Sequence, residues 1–323
     1  MRCDIAALSD IGRRKKRNED SYGLVLEGAE GVRLFQEGAL LCVADGLGGH
    51  LAGDIASKLA VSIVKDISRE TQPALEAYNE FTNKEDLGPL PLMRNAIVRA
   101  NESIYRTNRD NNVLRNKPMG TTILAAVVEP KWVYVANVGD SRCYLIRAGE
   151  IIERTEDHSW VDEQVKQGLM SKEEAESDSR RNVVTRCVGT REEIETDTYR
   201  WNIVPDDILL LCSDGLINMV PDQDILAEIR KDGTAADMAQ NLVQMANDNG
   251  GKDNTTVVIA KISPKAIRMF KLRVRSIWRS HAGMVLKVIL LLLYGLLCLG
   301  IGYMLGGGNG VIETPLPPPD IPL

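Results

Sequence analysis

Cysteine is scarce in this sequence, and its spacing excludes one kind of metal site. The six cysteines among 323 residues lie far apart, so no CxxC pair is present from which a zinc knuckle is built. Three of them, Cys42, Cys143 and Cys212, fall inside apolar runs, where a free cysteine packs as a small hydrophobic residue. We therefore expect the body of the protein to lie in a reducing, cytosolic setting.

A signal peptide and an excess of positive charge are also missing. No apolar stretch follows Met1, so we expect no signal peptide. The net charge of −6 argues against a general nucleic-acid binder. The charge is uneven, because residues 264–323 contain 7 of the 39 Lys and Arg residues but only 2 of the 45 acidic ones. This basic segment is expected to have a local role.

One long run without charge lies towards the C-terminal end. Residues 288–305 contain no charged side chain, and with residues 282–286 they are long enough to cross about 30 Å of hydrocarbon. Six Lys and Arg residues and no acidic residue lie in 265–279, just before it. A buried core helix is the alternative to a membrane span. By the positive-inside rule, the flanking charges favour a single-pass protein of the inner (cytoplasmic) membrane, with its body in the cytoplasm.

The body contains both strand and helix patterns. Continuous apolar runs predict buried strands at residues 39–44, 121–128, 132–138, 143–146, 208–212 and 255–262. Helical spacing predicts helices at residues 54–70, around 96–105, at 222–231 and 234–247, with a short one starting at Ser171. Residues 129–131 and 139–141 are predicted to be tight turns between consecutive strands. This pattern is typical of an α+β domain with sheets inside and helices outside.

The predicted organisation has four parts. They are a folded domain at 1–263, a basic juxtamembrane linker at 264–281, a transmembrane helix at 282–305 and a short Gly/Pro-rich external tail at 306–323.

Four acidic clusters are spread over more than 200 residues of the body. They are Asn-Glu-Asp at 18–20, Asp-Gly-Leu-Gly-Gly-His at 45–50, Cys-Ser-Asp-Gly at 212–215 and Gly-Gly-Lys-Asp-Asn at 250–254. Two of them directly follow predicted strands, so a fold that brings strand ends together can collect their carboxylates. Gathered carboxylates repel one another and need bound cations. Oxygen ligands without nearby His or Cys favour Mg²⁺ or Mn²⁺ over Zn²⁺.

The order of the motifs resembles a known family. SDIG at 9–12 and NED at 18–20 are followed by DGLGGH at 45–50, GTT at 120–122, GDSR at 139–142, EDHS at 156–159, SDG at 213–215 and GGKDNTT at 250–256. Together they resemble the metal-dependent protein phosphatases of type 2C, the PPM family, in their bacterial form. The resemblance covers about residues 5–262. It implies a four-layer α-β-β-α sandwich and a two-metal serine/threonine phosphatase.

The resemblance also implies a set of metal ligands. They are Asp45 bridging two ions, the Gly46 carbonyl on one ion, Asp214 and Asp253 on the second, Glu19 and Asp20 directly or through water, and Asp140 on a weaker third ion. Asp140 as a plain turn residue is the alternative for that position. Two divalent ions lower the pKa of a bridging water, and the resulting hydroxide can attack a phosphomonoester. No protein nucleophile is needed, which suits a sequence without a convincing Ser/Cys-His arrangement.

The sequence departs from the family pattern at two positions. Where the family has a phosphate-binding Arg, this chain has Lys15, which neutralises charge but lacks the two-pronged Arg fork. Arg14 could substitute for it, and a merely solvated basic loop is the alternative. Leu47 stands where eukaryotic relatives have a candidate acid, so the donor of the leaving-group proton is not identified. His50 is expected to be structural, and His158 to orient its segment or to act in catalysis.

The function predicted is that of a membrane-anchored phosphatase for phosphoserine and phosphothreonine in proteins, which opposes a serine/threonine kinase. Its expected partners are phosphorylated proteins, such a kinase and the membrane, with no nucleic acid. Residues 160–190 occupy the place of the family's flap, where Trp160, Arg180, Arg181 and Arg186 either contact the substrate or are solvated. Alternatives are a phosphoprotein-binding regulator with little activity, a membrane adaptor, and a phosphatase for one dedicated partner.

Overall fold

The computed structural model describes residues 3–26, 38–48, 52–66, 88–111 and 118–262. The chain divides into two compact units, Met1–Ala266 and Ile267–Leu323, and every described residue belongs to the first. The linker, membrane helix and tail predicted for 264–323 therefore lie outside the described residues, as does His50. Within the described ranges, no helix is long and apolar enough to cross a membrane.

Two antiparallel sheets of five strands each form the centre of the described unit. The strand order of sheet I is β1 (Cys3–Asp10), β12 (Thr255–Ile262), β11 (Ile208–Cys212), β8 (Arg142–Arg147) and β9 (Glu150–Arg154). The order of sheet II is β10 (Asp197–Asn202), β7 (Trp132–Val138), β6 (Ile123–Val128), β3 (Ala39–Ala44) and β2 (Ser21–Leu26). Shortly after β3 comes β4 (Gly46–Leu47), which forms a separate two-stranded pair with β5 (Gly120–Thr121).

Helices cover the outer face of each sheet. Against sheet II pack α1, at residues 52–66, and α2 (Leu90–Asp110). Against sheet I pack α5 (Asp214–Ile217), α6 (Asp222–Ile229) and α7 (Ala235–Asp248). Two short helices, α3 (Trp160–Lys166) and α4 (Lys172–Ser177), belong to the flap.

Strand alternation explains why the layers stack in this order. In β3, Leu41 and Val43 pack between the two sheets, whereas Leu40 and Cys42 face α1 and α2. The same alternation in β11 and β12 gives sheet I one face towards sheet II and one towards α5–α7. Because both faces of the central strands are buried, their sequences are continuously apolar. The predicted α+β fold with an α-β-β-α layer order is confirmed.

The predicted turn at residues 139–141 is wrong in one respect. Residues 139–141 do connect β7 to β8, but these strands lie in different sheets. The segment therefore crosses from sheet II to sheet I instead of closing a hairpin, and Asp140 lies at the crossing. By contrast, residues 129–131 do form a tight turn, in which the Glu129 amide donates to the Trp132 carbonyl at 2.8 Å.

Register places the functional motifs at one end of the sandwich. In sheet I, Asp10 at the end of β1 is opposite Thr255 at the start of β12, and Cys212 at the end of β11 is opposite Val257. In sheet II, Ala44 at the end of β3 is opposite Ser21 at the start of β2. The acidic clusters that follow or precede these strands are thus brought to the same end.

Candidate active site

The backbone on either side of Asp45 is fixed by two threonines. The Asp45 amide donates to Thr122 Oγ1 at 2.9 Å, while Thr121 Oγ1 donates to the Asp45 carbonyl at 2.8 Å. Gly46 follows, and a Cβ there would lie 2.3 Å from the Gly53 carbonyl oxygen. Such close approach of α1 to the site excludes any side chain at position 46. The GTT motif thus serves to orient the Asp45 carboxylate.

Asp20 lies buried beneath the site with one oxygen bound and one free. Ser213 Oγ and Thr256 Oγ1 donate to Asp20 Oδ2 at 2.8 and 2.7 Å. Within the described part of the chain, Asp20 Oδ1 has no hydrogen-bond partner. The pKa of Asp20 is raised to about 7: burial is the largest cause, the two hydroxyl donors oppose it, and the charges of Asp214 and Asp253 add to it.

Asp45 and Asp214 lie against each other. Burial raises the pKa of both carboxyl groups, and neighbouring carboxylates raise them further: mainly Asp20 and Asp214 for Asp45, and Asp253 for Asp214. Each of these two carboxyl groups perturbs the pKa of the other, so the two side chains are near neighbours. Asn218 Nδ2 donates to Asp214 Oδ2 at 3.0 Å, and Asp214 Oδ1 has no partner among the described residues.

Asp140 is the fourth buried carboxyl group of this end. Burial raises its pKa well above the ordinary value, and the charges of Asp214 and Asp157 add to the effect. His158 fixes the crossing segment from behind, since its Nδ1 accepts from the Gly139 amide at 3.0 Å and its own amide donates to the Gly139 carbonyl at 3.0 Å. These contacts show His158 orienting the segment that carries Asp140.

The far ring nitrogen of His158 faces away from the site. His158 Nε2 lies 3.1 Å from Asp197 Oδ2, in an electrostatic contact that lacks the alignment of a hydrogen bond. Burial lowers the pKa of His158, and Asp197 opposes that shift. Burial therefore favours the neutral form of the imidazole.

Of the two candidate phosphate-binding cations, only Lys15 reaches the carboxylates. Its Nζ lies 2.5 Å from Asp253 Oδ1. Burial alone would lower the pKa of Lys15, but the hydrogen bond to Asp253 and the nearby carboxylates raise it overall. Arg14 has an exposed side chain, and its amide donates to the Gly251 carbonyl at 3.2 Å. Lys15 is thus held within the acidic cluster, whereas Arg14 lies at its rim.

Glu19 is positioned through its backbone. Its amide donates to Asn254 Oδ1 at 2.8 Å, and its carbonyl accepts from Ser57 Oγ at 2.6 Å. A Cβ on Gly53 would lie 3.2 Å from the Glu19 carboxyl carbon. The Glu19 carboxyl group therefore lies near Gly53, at the start of α1.

Asn254 is a positioning residue that the sequence alone did not identify. It is buried, and its Nδ2 donates to the carbonyls of Ile11 and Arg17, both at 2.9 Å. Together with its bond from the Glu19 amide, this side chain ties the β1–β2 loop to the start of β12. The signal was present in the motif, since Asn254 directly follows the candidate ligand Asp253 and has a side chain suited to bind backbone at both ends.

The flap side chains that were candidates for substrate contact have partners within the protein. Arg180 stacks on Trp160 at 3.5 Å from the ring centroid and pairs with Asp178 at 2.8 Å. Arg186 pairs with Asp197 at 2.8 Å. Arg181 is also engaged. Their first role in this structure is to shape the flap.

The donor set suits a hard divalent cation. The cluster offers carboxylate oxygens, two of them buried without a hydrogen-bond partner among the described residues, and several carboxyl groups whose pKa is raised by burial and then by mutual repulsion. A bound cation would relieve that repulsion. Among the described residues, no three His, Cys, Asp or Glu side chains converge as a complete chelate by themselves. Mg²⁺ and Mn²⁺ accept such a set, because Mg²⁺ keeps several waters when it binds one or two carboxylates.

Comparison with known proteins agrees with this donor set. Residues 13–254 match the family profile described as Protein phosphatase 2C. The chain is 36% identical over 253 residues to the serine/threonine phosphatase stp of Listeria monocytogenes, covering 78% of this chain and 93% of the relative. Over 261 residues it is 32% identical to the protein phosphatase PhpP of Streptococcus pneumoniae, covering 80% and 98%.

Solved structures share the fold. The catalytic domain of the serine/threonine protein phosphatase PstP, crystallised with two manganese ions, superposes with a TM-score of 0.63 at 31% identity, covering 81% of this chain and 98% of that one. The chain belongs to the protein phosphatase 2C family. This family uses Mn²⁺ or Mg²⁺, and two ions per site are supported.

Proposed function

We propose that the carboxylates at this end of the sandwich hold the two metal ions and that Lys15 binds the phosphate of the substrate. The chain is a metal-dependent serine/threonine protein phosphatase. One observation carries the residue assignment: Asp45 and Asp214 face each other with raised pKa values, and an oxygen of Asp214 has no partner among the described residues. Such a pair is stable in its ionised form only with positive charge beside it.

The protein's own groups have separable tasks. Thr121 and Thr122 fix the Asp45 backbone, so the carboxylate needs no reorganisation when the substrate arrives. Asp253 and Asp214 complete the acidic cluster, and the close approach of the Gly53 carbonyl leaves no room for a side chain at Gly46. When bound, two divalent ions supply charge for the phosphoryl oxygens and a water of lowered pKa.

Lys15 is suited to hold a phosphate because it already lies in the acidic cluster as a cation. Its side chain is 40% exposed, so the ammonium group can turn from Asp253 towards a substrate oxygen. An ammonium group attracts a phosphate as a point charge without the fixed geometry of a guanidinium. We expect binding of substrate to depend on this charge.

Asp140 is the proposed ligand of a third, weaker ion. Its carboxyl group is buried and feels the charge of Asp214, which supports a cation close to both. His158 would keep the segment in place from behind.

The same proposal places the enzyme at the cytoplasmic face of a membrane, opposite a serine/threonine kinase. The support is the charge-free run at 288–305 with its basic flank at 265–279. Membrane attachment would concentrate the enzyme near membrane-bound substrates. Fractionation of cells expressing the full-length chain would test it, with recovery in the washed membrane pellet expected and recovery in the supernatant as the contrary result.

The activity is tested on the full-length chain purified in mild detergent. We expect hydrolysis of p-nitrophenyl phosphate and of a phosphothreonine peptide with Mn²⁺ or Mg²⁺, and none with EDTA. Asp45→Asn and Asp214→Asn should each lower kcat at least about a hundredfold, as loss of a charged group at a reacting centre does. Asp232→Asn, which changes an exposed carboxylate between α6 and α7, is the matched control.

A folded wild-type chain without turnover would support the phosphoprotein-binding regulator instead. Wild-type turnover that survives both Asp→Asn substitutions would overturn the ligand assignment while leaving the enzyme class intact. Calorimetric titration of Mn²⁺ into each variant separates these cases, since a lost ligand weakens metal binding whether or not turnover is measured.

A further inference from the structure

Five consecutive cations border the proposed site. Arg13, Arg14, Lys15, Lys16 and Arg17 lie between β1 and β2, and we refer to residues 13–17 as the basic loop. The structure fixes both of its ends. The Gly251 carbonyl accepts from the Arg13 amide at 2.7 Å, and the Arg17 carbonyl accepts from Asn254 at 2.9 Å. The cations are therefore held at the site by backbone contacts.

The positive charge of the basic loop is available to a ligand. Apart from Lys15, its four side chains are exposed, and none forms an ion pair or side-chain hydrogen bond with the rest of the described chain. Lys252, next to the glycine that holds the loop, is exposed as well. The flap differs, because Lys166, Arg180 and Arg186 are each paired with a carboxylate. Unpartnered charge beside the site is thus concentrated in the basic loop.

The distances suit the residues on either side of a phosphorylated side chain. Lys15 reaches Asp253, and its neighbours follow along the chain at about 3.8 Å per residue. The other four cations therefore lie within two residues of Lys15, at most about 8 Å from it along the backbone, and an extended peptide covers that distance with about two residues on each side of the phosphate. Charges over this distance act within about one Debye length at physiological ionic strength.

We propose that the basic loop selects phosphoserine and phosphothreonine sites that have acidic residues beside them. This inference rests on the proposed function, because it places the phosphate at the carboxylate cluster. The loop lies where a substrate must approach that cluster, which favours a peptide over a membrane surface as its ligand. Each contact between exposed charges contributes modestly, so several of them together give a preference of about three- to tenfold in kcat/KM.

The test uses the full-length chain with Mn²⁺ and three phosphothreonine peptides. The peptides are identical except at the four nearest positions, which are all Glu, all Gln or all Lys. We expect kcat/KM to be highest for the Glu peptide, lower for the Gln peptide and lowest for the Lys peptide. The three peptides should differ in KM and share a similar kcat. Raising the salt concentration should compress the differences, because the contacts are exposed.

Two double variants assign the effect. Lys16→Gln with Arg17→Gln should bring the ratio of the Glu to the Gln peptide close to one, while kcat for p-nitrophenyl phosphate, which has no flanking residues, stays unchanged. Arg106→Gln with Arg109→Gln, two exposed arginines of α2, removes the same charge elsewhere and should leave the ratio as in the wild type.

Equal kcat/KM for the three wild-type peptides would overturn the proposal, as would a Glu preference that survives in the Lys16/Arg17 variant. If the three peptides gave equal kcat/KM and the loop cations were instead required for binding to vesicles containing phosphatidylglycerol, the loop would be assigned to a membrane surface. If p-nitrophenyl phosphate were not hydrolysed, the proposed function would fail separately. Fluorescence anisotropy of the labelled peptides would then still measure the preference, since binding requires no turnover.

Discussion

Lys15 lies where a metal ion and a phosphate would both act. Its ammonium group pairs with Asp253 at 2.5 Å and is also attracted by the nearby carboxylates of Asp45 and Glu19. A divalent ion bound by Asp253 must compete with this ammonium group. The residue that attracts the substrate therefore also weakens the metal site before the substrate arrives.

Replacing Lys15 by Met should separate these two effects. We expect the dissociation constant for Mn²⁺ to fall about two- to fivefold, because the ion pair is partly exposed and worth at most about 1 kcal/mol. KM for a phosphothreonine peptide should rise at the same time. Isothermal titration and steady-state kinetics measure the two changes. Lys15→Arg, which keeps the charge, is the control, and unchanged Mn²⁺ affinity in Lys15→Met would contradict the competition.

Gly46 is a second residue whose identity is set by contacts. A methyl group there would meet the Gly53 carbonyl oxygen at 2.3 Å and the Glu19 carbonyl oxygen at 2.7 Å. Gly46→Ala should lower the free energy of unfolding by more than about 2 kcal/mol, as overpacking against backbone does. Gly233→Ala, where the methyl would meet its nearest atom at 3.5 Å, should cost much less. Urea unfolding of both variants provides the measurement, and equal losses would refute the packing argument.

Among elements, the connection between the β1–β2 loop and β12 depends on one side chain. Asn254→Ala removes three hydrogen bonds to backbone groups and leaves those groups partly buried without partners. We expect a loss of about 2–4 kcal/mol in unfolding free energy and weaker Mn²⁺ binding. Asn249→Ala removes one exposed bond to the Met219 carbonyl and should cost under about 1 kcal/mol. Equal Mn²⁺ affinity in wild type and Asn254→Ala would show that the clamp does not position the site.

Central strands and edge strands differ in how well they can be predicted from the sequence. The buried central strands β3, β6, β7, β8, β11 and β12 were predicted within a residue or two, because burial on both faces leaves a continuous apolar run. Within the two five-stranded sheets, the strands that were missed, β1, β2, β9 and β10, are the sheet edges. Their half-exposed sequences, such as Glu150–Arg154, contain polar and charged residues and give no such run.

The same distinction applies to the site. The carboxylates could be predicted to meet because each follows or precedes a recognisable strand or motif. The pairing of Lys15 with Asp253, the clamp by Asn254 and the engagement of Arg186 by Asp197 could not, since they depend on side-chain directions across loops. The membrane helix at 282–305 stays a prediction.

For the whole molecule, the buried carboxyl groups link stability to pH. Asp20 has a pKa of about 7 when folded and 3.8 as its ordinary value, so its contribution to stability is complete below about 3.8 and is lost as pH rises through 7. Asp45 and Asp140 shift in the same direction. His158, whose pKa is lowered from 6.5, acts oppositely as pH falls below 6.5.

The metal-free, full-length chain should therefore melt at a higher temperature at about pH 6.5 than at about pH 8, because Asp20 loses its proton in the folded state across this interval. Mn²⁺ should raise Tm more at the higher pH, because it competes with protons for the same carboxylates. Differential scanning calorimetry in EDTA and in Mn²⁺ measures both effects. Asp20→Asn should reduce the difference in Tm between the two pH values, and a metal-free Tm that rises from about pH 6.5 to about pH 8 would contradict the assignment.

The pairing of β1 with β12 has a consequence for how the enzyme is made. The two strands align from Cys3 opposite Ile262 to Asp10 opposite Thr255, so the first and last strands of the described unit are neighbours. Lys15, Glu19 and Asp20 leave the ribosome early, but Asp253 and Asn254 are translated more than 230 residues later. At about 5–20 residues per second, the nascent chain spends more than ten seconds without a complete site. Synthesis itself thus delays activity until almost the whole domain has emerged.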